Sequence, residues 1–186
     1  MTRYSQRISF EASYTFFTIG HSNRNLSELL GLLKEFNIEA LIDVRSWPSS
    51  KKHPHFNREA LRKSLEAEGI RYFWLGKELG GYRKTGLGDE SPNKAWKSIG
   101  FRNYADHTLN EEFRRGIDRL IRYGEKWRVA YMCAEKFYWK CHRRIISDYL
   151  LSKGHRVIHI IDRGEARKHR LTRFARIVNG ELTYPE

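Results

Sequence analysis

Short runs of β-forming residues alternate with segments of helical periodicity along most of this chain. Five runs rich in β-branched, aromatic or other apolar side chains predict buried strands: 14–19, 39–44, 70–75, 127–132 and 157–161. Four segments place their apolar side chains on one helical face: 26–35, 58–68, 111–125 and 141–153. Strands that alternate with helices predict an α/β fold, with a mostly parallel open sheet and helices on both of its faces.

The chain is predicted to form one domain, because 186 residues suffice for a single core and no linker or repeat divides them. This domain spans residues 14–186. Residues 1–13 are expected to be a tail or an extra edge segment. Residues 82–103 lack periodicity and are expected to be a long loop or an insertion. No apolar run reaches the ~20 residues of a membrane span, and the start lacks the apolar block of a signal peptide. We therefore expect a cytoplasmic protein that does not associate with membranes.

The chain is strongly basic, with a net charge of +13 and a pI of about 9.9. Such a charge favours polyanions, so we expect DNA, RNA or a phosphorylated substrate as the partner; a merely basic protein is the alternative. Residues 163–176 hold six Arg or Lys against one Glu, and Lys168 and Arg170 among them are candidate phosphate contacts. A charged fraction of 31% with a single glutamine is typical of heat-adapted proteins.

Both cysteines lie in the segment from Met132 to Arg144, M-C-A-E-K-F-Y-W-K-C-H-R-R. The segment joins a predicted strand to a predicted helix, which is where open α/β sheets place ligand sites. Helix N-terminal amides and cations at such a place lower the pKa of a thiol and favour the thiolate. No other stretch of the chain concentrates as many reactive side chains.

Three interpretations of Cys133 remain open. It is a nucleophile activated by His142, Arg143 or Lys136; a zinc ligand together with Cys141 and His142; or a buried core cysteine. A disulfide between the two cysteines is disfavoured in the cytosol. We expect no cofactor, with zinc at these three residues as the alternative.

Glu135 and His142 are candidate catalytic groups of the same segment. Glu135 would be a general acid or base, or else it forms an ion pair with a nearby cation. His142 would orient or protonate a leaving group, or else it caps the following helix. The string C-A-E resembles part of the zinc deaminase signature, but the P-C-x-x-C that those enzymes need is missing. The phosphatase pattern also fails, because Trp139 stands where it requires arginine.

The carboxyl ends of parallel strands meet at one edge of a sheet, which predicts that three groups of polar residues gather there. His21 and Ser22 follow the first strand, Asp43 and Arg45 come at the end of the second, and Cys133 to Glu135 follow the fourth. Asp43 and Arg45 alternate along their strand and so share one face. Asp43 is a candidate catalytic carboxylate and Arg45 a candidate phosphate contact; alternatively, the two form a structural ion pair.

Further candidate contacts combine glycines, cations and aromatic rings. Gly80 and Gly81 with Arg83 resemble a turn that lets an anion approach, with a guanidinium behind it. The rings of Tyr72 and its neighbours suit stacking of exposed bases, although a strand must also bury one face. The predicted substrate or anion contacts are His21, Ser22, Arg45, Tyr72, Gly80, Gly81, Arg83, Arg143, Lys168 and Arg170.

Several strings occur in an order that resembles the uncharacterised domain family numbered 488. They are T-I-G-H-S, L-I-D-V-R, G-I-R-Y, L-G-G-Y-R, M-C-A-E, C-H-R-R and the C-terminal H-R-L-T-R-F-A-R-I-V-N-G-E-L-T-Y-P. The resemblance extends over about residues 14–185 and implies an α/β domain. Its motifs match His21, Asp43, Arg45, Arg83, Cys133, Glu135, Cys141, His142 and Arg143.

One principal hypothesis and two alternatives follow for the function. The principal one is an enzyme acting on nucleic acid or a nucleotide, handling a modified or damaged base by glycosidic-bond cleavage or related repair chemistry. Glu135 or Asp43 would supply the acid or activate water, and Cys133 would be a nucleophile or a structural thiol. The alternatives are a non-catalytic basic module that binds DNA or RNA, and cysteine-dependent thiol or sulfur chemistry on a small acidic metabolite.

Overall fold

The structure, a computed structural model, describes residues 12–186, so most of the predicted tail at 1–13 lies outside the described residues. The larger of two sheets has six strands: β1 (Thr15–Gly20), β2 (Ala40–Asp43), β3 (Arg71–Trp74), β4 (Val129–Cys133), β5 (Arg156–Asp162) and β6 (Glu165–Lys168). A small hairpin follows, with β7 (Arg176–Val178) and β8 (Glu181–Thr183). The helices are α1 (Leu26–Glu35), α2 (Arg58–Ala67), α3 (Gly76–Leu79), α4 (Ile99–His107), α5 (Glu111–Lys126) and α6 (Arg143–Ser152).

The strand order in the large sheet is β3-β2-β4-β1-β5-β6. Strands β1 to β5 run parallel, and β6 is antiparallel to β5. Because β4 lies between β2 and β1, the carboxyl ends of these three strands are neighbours. The mostly parallel α/β sheet predicted from the sequence is therefore confirmed, and the three groups of polar residues do meet at one edge.

Helices cover both faces of the sheet, and alternate strand residues point to opposite sides. Phe16 and Tyr131 pack into the cluster formed with α4, α5 and α6. Their strand neighbours Phe17 and Met132 pack on the other face, against α1 and α2. The sheet is buried on both sides, which explains why its strands are continuous apolar runs in the sequence.

The segment 82–103 differs from the predicted loop, because α4 begins at Ile99 and a short 3-10 turn spans Gly88–Glu90. The buried Asp106 of α4 organises the remainder. Its carboxylate accepts hydrogen bonds from the Leu87 amide at 2.8 Å, the Ser91 hydroxyl at 2.5 Å and the Asn93 amide group at 2.8 Å. Polar contacts to a single carboxylate order this segment, and hydrophobic periodicity does not report such contacts.

The basic C-terminal segment also contains structure that the sequence did not predict. Residues 165–168 form β6, whose four residues are all exposed. A charged edge strand resists pairing with other chains. Such a strand has no alternation of apolar and polar residues, which explains why hydrophobic periodicity did not predict it.

A buried chain of hydrogen bonds crosses the sheet next to α6. Arg143 donates to Thr18 Oγ1 at 3.2 Å, and Thr18 pairs with His159 Nδ1 at 2.8 Å. His159 Nε2 meets His169 Nδ1 at 2.9 Å, and His169 Nε2 meets Asp148 at 2.8 Å. With Asp148 as the terminal acceptor, each link is satisfied by neutral rings that donate toward the carboxylate. Both histidines are therefore structural members of the core.

Burial, together with electrostatic interactions with His169 and Arg143, lowers the pKa of His159 from 6.5 to about 2. The folded state thus binds this proton less well than the unfolded state. The contribution of this ring to the free energy of unfolding is therefore most favourable above pH 6.5 and declines as the pH falls below that value. We expect the free energy of unfolding to fall by up to about 1.4 kcal/mol per pH unit there on account of this ring. His159→Asn should be less stable at neutral pH but show a shallower decline. Denaturant unfolding at a series of pH values measures this, and equal slopes for the two proteins would contradict it.

Candidate functional site at the carboxyl edge of the sheet

A cleft of about 480 Å³ opens at the carboxyl edge of the sheet, where β2 and β4 end side by side. Its reactive lining residues are Arg45, Cys133, Glu135, Lys140, Cys141 and His142, and its aromatic ones are Trp47, Tyr82, Phe101 and Tyr104. A larger cavity of about 750 Å³ lies between α5 and the β7–β8 hairpin. That cavity brings together none of the predicted site residues, so we place the candidate site in the smaller cleft.

Two thiols and an imidazole converge in this cleft. Cys133 ends β4, while Cys141 and His142 directly precede α6. The Nδ1 atom of His142 lies 3.4 Å from the sulfur of Cys141 and 3.9 Å from that of Cys133. The three donor atoms all lie within 4.8 Å of one another, and both thiols are free. The predicted helix 141–153 in fact starts at Arg143, because the backbone of Cys141 is extended, with a φ of −138° and a ψ of 152°.

The His142 ring is held from several sides. Its Nε2 atom lies 3.0 Å from the carbonyl oxygen of Val44, at the end of β2. Tyr104 meets the ring edge to face at a centroid distance of 5.1 Å. A side chain at Gly81 would overlap the imidazole, so only glycine permits this approach of the backbone. The ring orientation therefore depends on β2, α4 and the Gly-Gly turn together.

The two thiols differ in acidity. A hydrogen bond to Cys141 and burial raise the pKa of Cys133 well above its ordinary value. Burial alone would also raise the pKa of Cys141. Hydrogen bonding from Cys133, the nearby His142 and the charge of Arg143 together outweigh burial and hold that pKa well below its ordinary value. The two thiols therefore titrate as a coupled pair, in which Cys141 loses a proton more readily than Cys133.

Arg143 is directed away from the cleft into the protein. Only 1% of its surface is exposed, and its guanidinium donates to Thr18 and to the carbonyl oxygens of Glu135 and Lys136. These contacts fix the loop that follows β4. The residue was predicted as an anion contact, and the structure places it beneath the site.

Asp43 and Arg45 form the buried ion pair that the alternation of the strand indicated. The carboxylate accepts from Arg45 Nε at 2.9 Å and from Nη2 at 2.6 Å, and the Tyr72 hydroxyl donates to it at 2.7 Å. Arg45 also donates to the Phe56 carbonyl at 2.9 Å. Both carboxylate oxygens thus have hydrogen-bond partners. Asp43 is buried behind the cleft wall, where it holds Arg45, and Arg45 itself lines the cleft.

His21, which directly follows β1, completes this network. Arg45 Nη1 lies 3.3 Å from its Nε2, and its Nδ1 lies 2.9 Å from the Ser22 carbonyl. Burial and the charge of Arg45 lower the pKa of His21 from 6.5 to about 4, so the ring is neutral and accepts from the guanidinium. Ser22 has a φ of 51°, uncommon for a residue other than glycine, and its amide donates to the Ala134 carbonyl at 2.9 Å. Both residues bind the strand ends together.

Several other predicted contacts have partners within the protein. Arg83 donates to the carbonyl oxygens of Gly80, Lys77 and Glu78 around the end of α3 and pairs with Glu112 at 3.3 Å. A side chain at Gly80 would collide with the backbone and with Ser46. This steric requirement explains the presence of glycine here, and no bound anion is needed to account for it. The Gly-Gly turn with Arg83 is thus sterically and structurally accounted for.

The predicted stacking strand and the basic segment lie away from the centre. Tyr72 is buried against Asp43, Phe73 stacks on Tyr123 at 4.2 Å, and the indole of Trp74 donates to the Arg45 carbonyl at 2.9 Å. Lys168 and Arg170 are exposed, and Lys168 pairs with the middle of β5. They belong to the far edge of the sheet, which β1 and β5 separate from β4.

Glu135 is exposed beside the cleft, and its carboxylate accepts a hydrogen bond from the Phe137 amide at 3.3 Å. Sequence reasoning missed the aromatic rim of the cleft. Trp47 and Tyr82 are 65% and 55% exposed, and their ring centroids lie 4.9 Å apart. Each ring occurs in a loop without periodicity, and the two loops meet only in the folded chain. Exposed aromatic residues beside proline and glycine are the one signal that marks them in the sequence.

The fold and the cleft define a single α/β domain with a cysteine–histidine centre at the carboxyl edge of a parallel sheet. The chain belongs to the family described as domain of unknown function DUF488, whose model matches residues 25–150. This confirms the resemblance drawn from the motifs. No curated protein and no solved structure matches the chain. Within the described residues, no helix is both long and apolar enough to span a membrane.

Replacing Asp43 by Asn removes the carboxylate partner of the buried Arg45. We expect Asp43→Asn to lower the free energy of unfolding by about 3–5 kcal/mol, because an uncompensated guanidinium remains in the core. Glu59→Gln, which breaks an exposed pair with Arg62, is the control and should change stability little. Denaturant unfolding of both variants measures the difference. Similar small losses in the two would show that the network does not depend on the ion pair.

Proposed function

We propose that this protein is an enzyme that acts on a base of a nucleic acid or a nucleotide, bound in the cleft at the carboxyl edge of the sheet. The observation that carries the proposal is the combination in one cleft of exposed aromatic rings with cysteine, histidine and carboxylate groups. Rings bind flat, unpaired bases, and the polar groups supply chemistry beside them. The handling of a modified or damaged base, by glycosidic-bond cleavage or a related step, is the specific form of this proposal.

The aromatic rim suits a base that has left its stack. Trp47 and Tyr82 lie on one side of the cleft, and Phe101 and Tyr104 line it as well. Stacking on such rings contributes about 1–3 kcal/mol per base. Most of the surface of Trp47 is exposed to solvent. The hydrophobic stabilisation that this exposure forgoes in the free protein is gained when another ring covers the indole.

The charge of the protein supports a phosphate-bearing substrate. Lys140 is exposed on the cleft and Arg45 lines it, within a chain of net charge +13. Phosphate contacts position a nucleic acid without reading its sequence. A cleft with rings for the base and cations around it fits both halves of a nucleotide.

Glu135 is the group that we assign to proton transfer. Departure of a base or of a ring substituent needs a group that moves protons, and Glu135 is an exposed carboxylate on the cleft. Asp43, the other candidate, has both oxygens engaged by Arg45 and Tyr72. His142 uses Nε2 for the Val44 carbonyl, and its Nδ1 faces the two sulfurs.

Substitution of Trp47 tests the base-binding part of the proposal. We expect Trp47→Ala to weaken binding of a fluorescent single-stranded oligonucleotide by roughly tenfold, because one stacking surface is lost. Val178→Ala, which changes an exposed apolar residue of the β7–β8 hairpin, should bind as the unaltered protein does. Fluorescence anisotropy at two salt concentrations separates stacking from charge. Equal binding by both variants would place any nucleic acid outside the cleft.

Substitution of Glu135 tests the catalytic part. Over a panel of duplexes and nucleosides with modified bases, we expect turnover by the unaltered protein and at least a hundredfold loss in Glu135→Gln. Glu90→Gln, at an exposed glutamate outside the cleft, is the matched control. Full activity of Glu135→Gln would remove this residue from the mechanism. Binding without turnover on any substrate would favour a non-catalytic nucleic-acid-binding module.

A further inference from the structure

We propose that Cys133, Cys141 and His142 form a zinc site whose fourth coordination position opens into the cleft. This inference deepens the proposed function, because it names the group that would activate water next to a bound base. It also has a test of its own, since zinc binding is measured without any substrate. The argument rests on the positions of the donor atoms, the partner of the His142 ring and the surroundings of the sulfurs.

The donor atoms already have nearly the spacing of a tetrahedral site. Zinc bonds of about 2.3 Å to sulfur and about 2.0 Å to nitrogen place the two donors about 3.6 Å apart in a tetrahedron. The observed sulfur-to-Nδ1 distances of 3.4 and 3.9 Å lie on either side of that value. All three donor atoms lie within 4.8 Å of one another, so closure around an ion requires a shift of no more than about 1 Å.

The second nitrogen of His142 fixes the ring in the form that binds metal. The Val44 carbonyl can only accept, so Nε2 at 3.0 Å carries the proton and Nδ1 presents its lone pair to the sulfurs. Metal-binding histidines characteristically donate their other N–H to a carbonyl or carboxylate in this way. Gly81 and Tyr104 hold the ring in place from two further directions.

The surroundings also suit sulfur ligands. The Arg143 amide, at the start of α6, points at the Cys141 sulfur at 3.5 Å. Such N–H contacts stabilise thiolate ligands without occupying the coordination position. Two thiolates and an imidazole are a donor set that zinc prefers, whereas magnesium and calcium require oxygen ligands.

Three protein ligands indicate an open site and not a closed structural one. Structural zinc sites take four protein ligands, and catalytic ones leave a position for water or substrate. All three residues line the cleft, so the free position faces the same space as Glu135 and the aromatic rim. An ion there would polarise a bound water beside the base and supply the nucleophile that hydrolysis needs.

The experiment measures the zinc content of reduced full-length protein by elemental analysis, after incubation with Zn²⁺ and removal of excess. We expect one ion per chain, and at least a tenfold loss of affinity in each of Cys133→Ser, Cys141→Ser and His142→Ala. His53→Ala, at a histidine outside the cleft, is the control and should retain zinc. Circular dichroism confirms that each variant is folded. Absence of zinc from the folded, unaltered protein overturns the proposal.

Cobalt and a thiol probe add readouts that a purely structural role would not give. Co²⁺ at the site should produce the near-ultraviolet charge-transfer bands of thiolate ligands, weaker in each cysteine variant. Zn²⁺ should protect both cysteines from alkylation and from forming a disulfide with each other. Equal reaction of the thiols with and without Zn²⁺ would overturn the site and favour thiol chemistry in its place.

A glycine variant tests the geometry with all three ligands present. Gly81→Ala should lower zinc affinity at least tenfold, because the new methyl group displaces the His142 ring. Gly100→Ala, where the nearest atom lies 3.9 Å from the added carbon, should leave it unchanged. Equal affinities would show that the ring position is not needed. Oligonucleotide binding by these variants stays normal if only the metal site fails, and zinc binding stays normal if only the base-binding proposal fails.

Discussion

The carboxyl edge of this sheet depends on three buried arginines that bind carbonyl oxygens near the strand ends. Arg24 joins the ends of β1 and β5 through Gly20 and Ile161, Arg45 joins β2 to the segment at Phe56, and Arg143 holds the loop after β4. Burying a guanidinium is costly unless its N–H groups are satisfied. Arg24 meets that condition with two carbonyl oxygens at strand ends, and Arg45 meets it mainly with the Asp43 carboxylate. Arg143 donates to a hydroxyl and two carbonyl oxygens, while its Nε has no hydrogen-bond partner within the described part of the chain. The edge is therefore rigid and positive at once.

That positive edge determines what the cleft can hold. Asp43 neutralises Arg45, whereas Arg143 meets a hydroxyl and carbonyl oxygens and so keeps a full charge beneath the cysteine loop. Negative groups are favoured above it, so its charge helps to lower the pKa of Cys141 and would favour the proposed phosphate near Lys140. The same field would favour the sulfur ligands of the proposed zinc site at the floor of the cleft and the proposed nucleotide at its mouth.

The sequence predicted most of the fold because the elements that form it follow local rules. The bounds of α1 are as predicted, since the leucine spacing is helical and Asn25 and Glu28 form a capping box. Prediction failed where tertiary contacts decide. Trp127 reads as part of β4 but follows the end of α5, where its ring stacks on Phe73. The pairing of Asp43 with Arg45 followed from strand alternation, whereas contact with His21 required the strand order.

The cysteine segment shows most clearly why a cluster in sequence is not yet a site. Cys141, His142 and Arg143 are consecutive, yet the first two line the cleft and the third points into the protein, because α6 begins between them. One helix start thus supplies two donor groups to the cleft and one cation to the protein interior. Neither direction is encoded in composition. Val44 and Gly81, which are distant from His142 in the sequence, fix the orientation of its ring. The chemistry of the segment therefore depends on the strand end and the turn that face it.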